Sequence, residues 1–168
     1  MPKSRGDFQK VRDSPGIFAY IASTMKEQDI NNKTWRPAPK YPTCFVCGES
    51  NPEGLNLTFQ TADSRAITTW NPREEHCGYK GVVHGGISAT ILDEAMGWAG
   101  WRTFAKNFFT AELTIRYRKP VTTGREYRIE TEMTKSRGKF YTAIGKIIAP
   151  DGEILVESEG KYFVRDDV

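Results

Sequence analysis

The chain has 168 residues, of which 38% are hydrophobic, 27% charged and 12% aromatic, a composition that excludes a disordered or fibrous protein and fits one domain with a single core. No uncharged apolar run approaches the ~20 residues that span a bilayer, and MPKSRGDFQK lacks the apolar stretch of a signal peptide, so a cytoplasmic protein with no membrane partner is expected. The net charge of +3 arises in residues 1–40, where eight Lys/Arg face four Asp/Glu while the remainder balances at 16 against 17; a nucleic-acid-binding face is therefore not expected, because the basic excess lies in a leader and not on the domain.

Ser14 and Pro15 read as the N-cap and first residue of a helix, and Ile17, Ile21 and Met25 recur at helical spacing, which predicts a short amphipathic helix to about Gln28. Pro37, Pro39 and Pro42 then predict an extended connector lying over the domain, so residues 1–43 form an N-terminal segment and residues 44–168 the domain proper. Cys44, Cys47 and Cys77 are an odd number and suit a reducing compartment. Cys44 and Cys47 form a C-x-x-C pair that His76 and Cys77 would have to complete as a zinc site. Adjacent residues have difficulty pointing at one ion, so buried thiols around the first hairpin are expected, with no metal.

After the NPEG turn at residues 51–54, Leu55, Leu57 and Phe59 alternate with polar residues and AITTW follows, predicting a hairpin that ends at Trp70. From Gly85 to about Trp101 the pattern is a long helix whose only ionisable side chains are Asp93 and Glu94. Four strands complete the chain. FFTAELTIRYRK alternates at Phe109, Ala111, Leu113, Ile115 and Tyr117, which leaves Thr110 on the polar parity of Glu112, Thr114 and Arg116; REYRIETEM, FYTAIGKIIA and EILVESEGKYFVR follow, with turns at SRGK (136–139) and PDG (150–152). A helix this apolar must be covered on most sides, and one six-stranded antiparallel sheet can wrap it, giving an α+β domain.

Chemistry concentrates at the start of that helix. Gly85 and Gly86 sit where the first helical N–H groups have no intrahelical acceptor, and without side chains they let a substrate oxygen reach the backbone as in an oxyanion hole. Asp93 lies two turns on, and its helical neighbours Gly86, Ala89, Thr90, Gly97 and Gly100 are all small, which leaves room for water, substrate or a second subunit beside a general base or nucleophile. Glu94 is a rival, but its neighbours Ile87, Ile91, Trp98 and Trp101 form a bulky apolar face. The structural alternative is that the glycines allow close packing, His84 caps the helix and Asp93 makes one satisfied hydrogen bond. No Gly-rich phosphate loop, dinucleotide fingerprint or Ser-His-Asp motif is present.

HGG followed by six residues and an acid, then TAELTIRYRKPV, with CFVCGESNPEGLNLTF before and EGKYFV after, resembles the hot-dog-fold acyl-CoA thioesterase superfamily in its phenylacetyl-CoA thioesterase-like (PaaI-like) branch, over residues 44–165. The resemblance implies hydrolysis of an acyl-CoA to free acid and coenzyme A by a homodimer or a dimer-of-dimers tetramer with active sites between subunits, and no cofactor. By position, Asp93 would be the catalytic carboxylate and the Gly85 amide would polarise the thioester. His84 would orient the loop or the thioester, Thr110 would help place the water, and Arg137, Gly138 and Lys139 would meet the coenzyme A phosphates. Two other readings stay open: a hot-dog hydratase or dehydratase, and a non-catalytic acyl-CoA-binding module.

Overall fold

The computed structural model describes residues 34–165, so the helix expected at residues 14–28 lies outside the described residues. In chain order the strands are β1 (Arg36–Pro37), β2 (Gln60–Ala62), β3 (Arg65–Trp70), β4 (Cys77–Tyr79) and β5 (Val82–Val83); then come helices α1 (Gly85–Ala99) and α2 (Trp101–Phe104), and strands β6 (Phe108–Tyr117), β7 (Tyr127–Arg137), β8 (Phe140–Ile148) and β9 (Ile154–Val164). Among the described residues, seven strands form one antiparallel sheet in the order β1-β2-β3-β7-β8-β9-β6, and β4-β5 is a separate ribbon.

The sheet wraps α1 as expected, giving the hot-dog arrangement. Ile91, Leu92, Ala95, Met96 and Trp98 of the helix are buried against Ile129, Ala143, Ile147, Val156 and Tyr162 of the sheet. Polar side chains on that inner face find partners on the helix backbone: Thr131 Oγ1 donates to Ala95 O at 2.8 Å, and Tyr141 OH to Gly97 O at 3.0 Å. Such bonds fix the height of the helix over the strands, because an unpaired buried hydroxyl would cost about 1–3 kcal/mol. The outer face carries a ladder of buried charges, with Lys146 opposite Glu130 on one side and Glu157 on the other. None of the described helices is long and apolar enough to cross a membrane.

Besides the β4-β5 ribbon, which the sequence reading did not contain, the structure departs from that reading in three places. A seventh strand exists because the Pro-rich stretch adds to the sheet edge, Arg36 pairing with Thr61 and Pro37 with Gln60; proline is tolerated there because an edge strand has one side on which no N–H is needed. Leu55 to Phe59 does not form the expected ladder strand. Asn56 adopts a φ of 50°, and the Leu55 and Leu57 N–H groups donate to Phe45 O and Val46 O, each at 2.8 Å. Leu57 and Phe59 still enter the core, so the hydrophobic pattern is satisfied by a loop. Finally, α1 stops at Ala99, and Trp101 belongs to a separate short helix.

Candidate active site

The His84 backbone N–H donates to His76 O at 2.9 Å, and this fixes the approach to α1 beside the β4-β5 ribbon. His84 is the N-cap of α1: its backbone is extended, at φ −62° and ψ 131°, and its Nδ1 accepts the Gly86 N–H at 3.0 Å. With Nδ1 acting as acceptor, the proton of the neutral ring sits on Nε2. The Gly86 amide, expected from sequence to be an oxyanion donor, is therefore committed to the His84 cap. The Gly85 N–H stands at the first helical position, where no intrahelical acceptor exists. Tyr117 OH donates to Gly85 O at 2.8 Å and its ring lies over the Gly85 Cα, so the glycine lines a pocket of about 320 Å³ with Val83, Ser88, Tyr117 and Val121.

Two turns along the helix, Asp93 is held from both sides. Thr110 Oγ1 donates to Asp93 Oδ1 at 2.7 Å, and Tyr162 OH lies 3.1 Å from both Asp93 Oδ1 and Asp93 O. Oδ2 makes no hydrogen bond to a described residue. The Tyr162 hydroxyl is fully buried and its ring stacks on Tyr141 at 4.9 Å. Burial pushes its pKa well above the ordinary value, and the Asp93 charge adds to the shift, so it remains a proton donor. Tyr162 is a site residue that sequence reasoning missed, since nothing in KYFV shows that β9 passes beneath Asp93.

Thr110 reaches Asp93 although simple alternation put it on the polar parity of β6. A β-bulge accounts for this: Thr110 opposes Tyr162 while Glu112 opposes Lys161, so β6 contains one extra residue at Ala111. The extra residue moves Thr110 to the face of Leu113 and Ile115, which points at the helix. The small residues near Asp93 also serve a different purpose from the one expected. A Cβ at Gly97 would lie 1.9 Å from the Phe108 ring and one at Gly100 2.8 Å from the Tyr141 ring, so aromatic side chains occupy that space. The open side of Asp93 is the other one, the helix face of Gly86, Ala89 and Thr90, none of them buried.

Arg137, Gly138 and Lys139 lie at the tight turn joining β7 and β8, with Gly138 at φ 60°. Arg137 lines a groove of about 490 Å³ together with Phe140, Tyr141, Lys161 and Tyr162, which connects the turn to the tyrosine that bonds Asp93. Gly85 and Asp93, in contrast, are not brought together within one chain. Eight residues at 1.5 Å each separate them by about 12 Å along the helix axis, too far for one thioester carbonyl to meet both.

The sequence model of the thioesterase superfamily matches residues 80–155. An uncharacterized protein of Schizosaccharomyces pombe is 30% identical over 60% of this chain and 59% of its own length. Acyl-coenzyme A thioesterase THEM4 of Xenopus laevis is 26% identical over 65% of this chain and 49% of its own length. The chain thus spans between half and six-tenths of these curated relatives. In fold it is similar to a solved thioesterase superfamily protein, with a TM-score of 0.67 at 22% identity over 98% of this chain and 82% of that one. It is also similar to the Escherichia coli PaaI protein of the phenylacetic acid degradation operon, with a TM-score of 0.62 at 14% identity over 67% of this chain and 81% of that one. Residues 80–155 are thus similar in sequence to the thioesterase superfamily, and the shared architecture gives the domain the hot-dog fold of these solved structures.

Proposed function

We propose that the protein hydrolyses an acyl-CoA thioester to free acid and coenzyme A in a site built by two copies of the chain, with Asp93 as the catalytic carboxylate. The observation that carries this reading is the double hold on Asp93 Oδ1 by Thr110 and Tyr162, which fixes the carboxylate while Oδ2 makes no hydrogen bond to a described residue. Oδ2 takes a proton from water as the water oxygen attacks the thioester carbon; the coenzyme A thiolate then leaves and is protonated. The same oxygen serves equally for direct attack, with the resulting anhydride hydrolysed by water.

The developing oxyanion needs a fixed donor about 3 Å away. Gly85 of the same chain is too distant, so the donor is the Gly85 amide of a second copy, and His84 orients that amide by capping Gly86. A dimer of this kind is supported by β6, a ten-residue strand at the sheet edge. Such an edge is a template for pairing with another chain. The helix face of Gly86, Ala89 and Thr90 beside it is small enough for a second helix to approach closely. The Arg137-Gly138-Lys139 turn, at the end of the Tyr162 groove, receives the coenzyme A phosphates. The free thiols Cys44, Cys47 and Cys77 fit work in a reducing compartment such as the cytoplasm.

The test is thiol release from short, medium, long and aryl acyl-CoAs by wild type and Asp93→Asn. Thiol release that falls at least about a hundredfold in the variant, with its circular dichroism unchanged, is the expected result. Undiminished release would remove Asp93 from the chemistry. Loss of enoyl-CoA absorbance without thiol release would identify a hydratase instead.

A further inference from the structure

On the far side of Asp93's neighbour, Glu94, the C-x-x-C loop closes against α1. Cys44 Sγ lies 3.7 Å from Glu94 Oε1, and Cys44 Sγ, Cys47 Sγ and a Glu94 carboxylate oxygen all fall within 4.8 Å of one another. Cys47 is 1% exposed and Glu94 is largely withdrawn from water. The groups acting on the Glu94 carboxyl are the two thiols, the Trp98 indole N–H at 3.0 Å and Asp93, none of them cationic. Three potential anions thus converge with no positive charge among them, which is costly unless a cation joins them or protons stay on.

The separation that a Cys44 thiol hydrogen bond to Glu94 gives also fits a cation. Tetrahedral zinc with Zn–S of about 2.3 Å and Zn–O of about 2.1 Å has a sulfur–oxygen edge of about 3.6 Å, close to the observed separation. The Val46 and Cys47 backbone N–H groups donate to Cys44 Sγ at 3.3 and 3.5 Å, and hydrogen bonds of this kind orient a thiolate ligand. The turn is sharp enough to require Gly48, whose added Cβ would meet Cys44 O at 2.4 Å and Pro42 O at 2.5 Å. The donors that the sequence offered for the second half of a site are engaged elsewhere, His76 with Arg73 and Cys77 with Glu74.

We propose that Cys44, Cys47 and Glu94 bind one zinc ion as two thiolates and a carboxylate, with the fourth tetrahedral position left to water. Binding releases the two thiol protons. The ion ties residues 44–48 to α1 one residue from Asp93, and so clamps the helix that carries the catalytic carboxylate without entering the reaction. The site stands whether or not the chain hydrolyses thioesters.

The test uses the full chain, reduced, stripped with chelator and titrated with Co²⁺ and then with Zn²⁺ against a chromophoric chelator. Wild type should bind one equivalent, with thiolate-to-cobalt charge-transfer absorption and the visible bands of a tetrahedral ion. Cys44→Ser and Cys47→Ser should lose affinity at least about a hundredfold and Glu94→Gln at least about tenfold, while Cys77→Ser binds as wild type does. Because the wild-type titration does not depend on any variant folding, less than one equivalent bound by the reduced wild type overturns the proposal. So does affinity that survives both Cys44→Ser and Cys47→Ser.

Discussion

At the scale of single residues, the chemistry open to Asp93 depends on which of its oxygens is occupied. Thr110 and Tyr162 share Oδ1, so removing either donor should loosen the carboxylate without removing it. For Tyr162→Phe we expect a stability loss of about 0.5–1.5 kcal/mol, the net value of one hydrogen bond, and a fall in kcat of about tenfold with KM little changed. Urea denaturation and steady-state kinetics on the same preparation check both. Asp93 and Thr110 were legible in the sequence because they sit at fixed places in a motif. Tyr162 was not, because its role depends on two segments 69 residues apart meeting across the core. Gly86 was assigned as an oxyanion donor because helix starts leave amides free; a neighbouring imidazole claims this one first.

At the scale of elements, packing overrides propensity in α1. Gly97→Ala would gain about 1 kcal/mol of helix propensity. It would also place a Cβ 1.9 Å from the Phe108 ring, and overpacking costs about 1–3 kcal/mol. With so short a contact the second effect should win, lowering Tm by about 2–8 °C in a thermal melt. The turn before α1 carries a pH dependence of its own. Burial, aided by the Arg73 charge, holds the His76 pKa below its ordinary value, and His76 Nδ1 accepts the Arg73 N–H at 3.1 Å. As pH falls below about 6.5 the unfolded chain takes a proton that the folded imidazole declines, so stability present above that pH is lost on acidification. The urea midpoint of wild type should therefore fall more between pH 7.5 and 5.5 than that of His76→Gln. The strands from Phe108 onward and the body of α1 could be read from periodicity, whereas the short β4-β5 ribbon and the break at Gly100 could not. The bulge at Ala111 could not, since one inserted residue changes no composition yet moves Thr110 to the other face.

At the scale of the whole molecule, the proposed reaction needs two copies of the chain, each supplying half of a site. Gly85 and Asp93 stand about 12 Å apart along α1, and no side-chain motion shortens a helix. The sequence showed both residues and their spacing, but the consequence of that spacing appears only when the helix is fixed in a sheet whose β6 edge is open to a second chain. Breaking that edge should separate the halves. Ile115→Pro, in mid-β6, where strand alternation from the Arg118 N–H bonded to Leu155 O turns the N–H away from β9, removes a donor from the open edge; the expected result is a folded monomer by circular dichroism and sedimentation, with thiol release lost.

Subunit complementation decides whether Gly85 and Asp93 act across two chains. Asp93→Asn and Gly85→Val, the latter placing a side chain where the thioester must approach, are each expected to be inactive as homodimers. When the two are unfolded together and refolded at equal amounts, half of the dimers should be mixed and each should carry one intact site, restoring about a quarter of wild-type thiol release. No recovery in a preparation shown by mass spectrometry to contain mixed dimers would place Gly85 and Asp93 in the same chain's site and contradict the account.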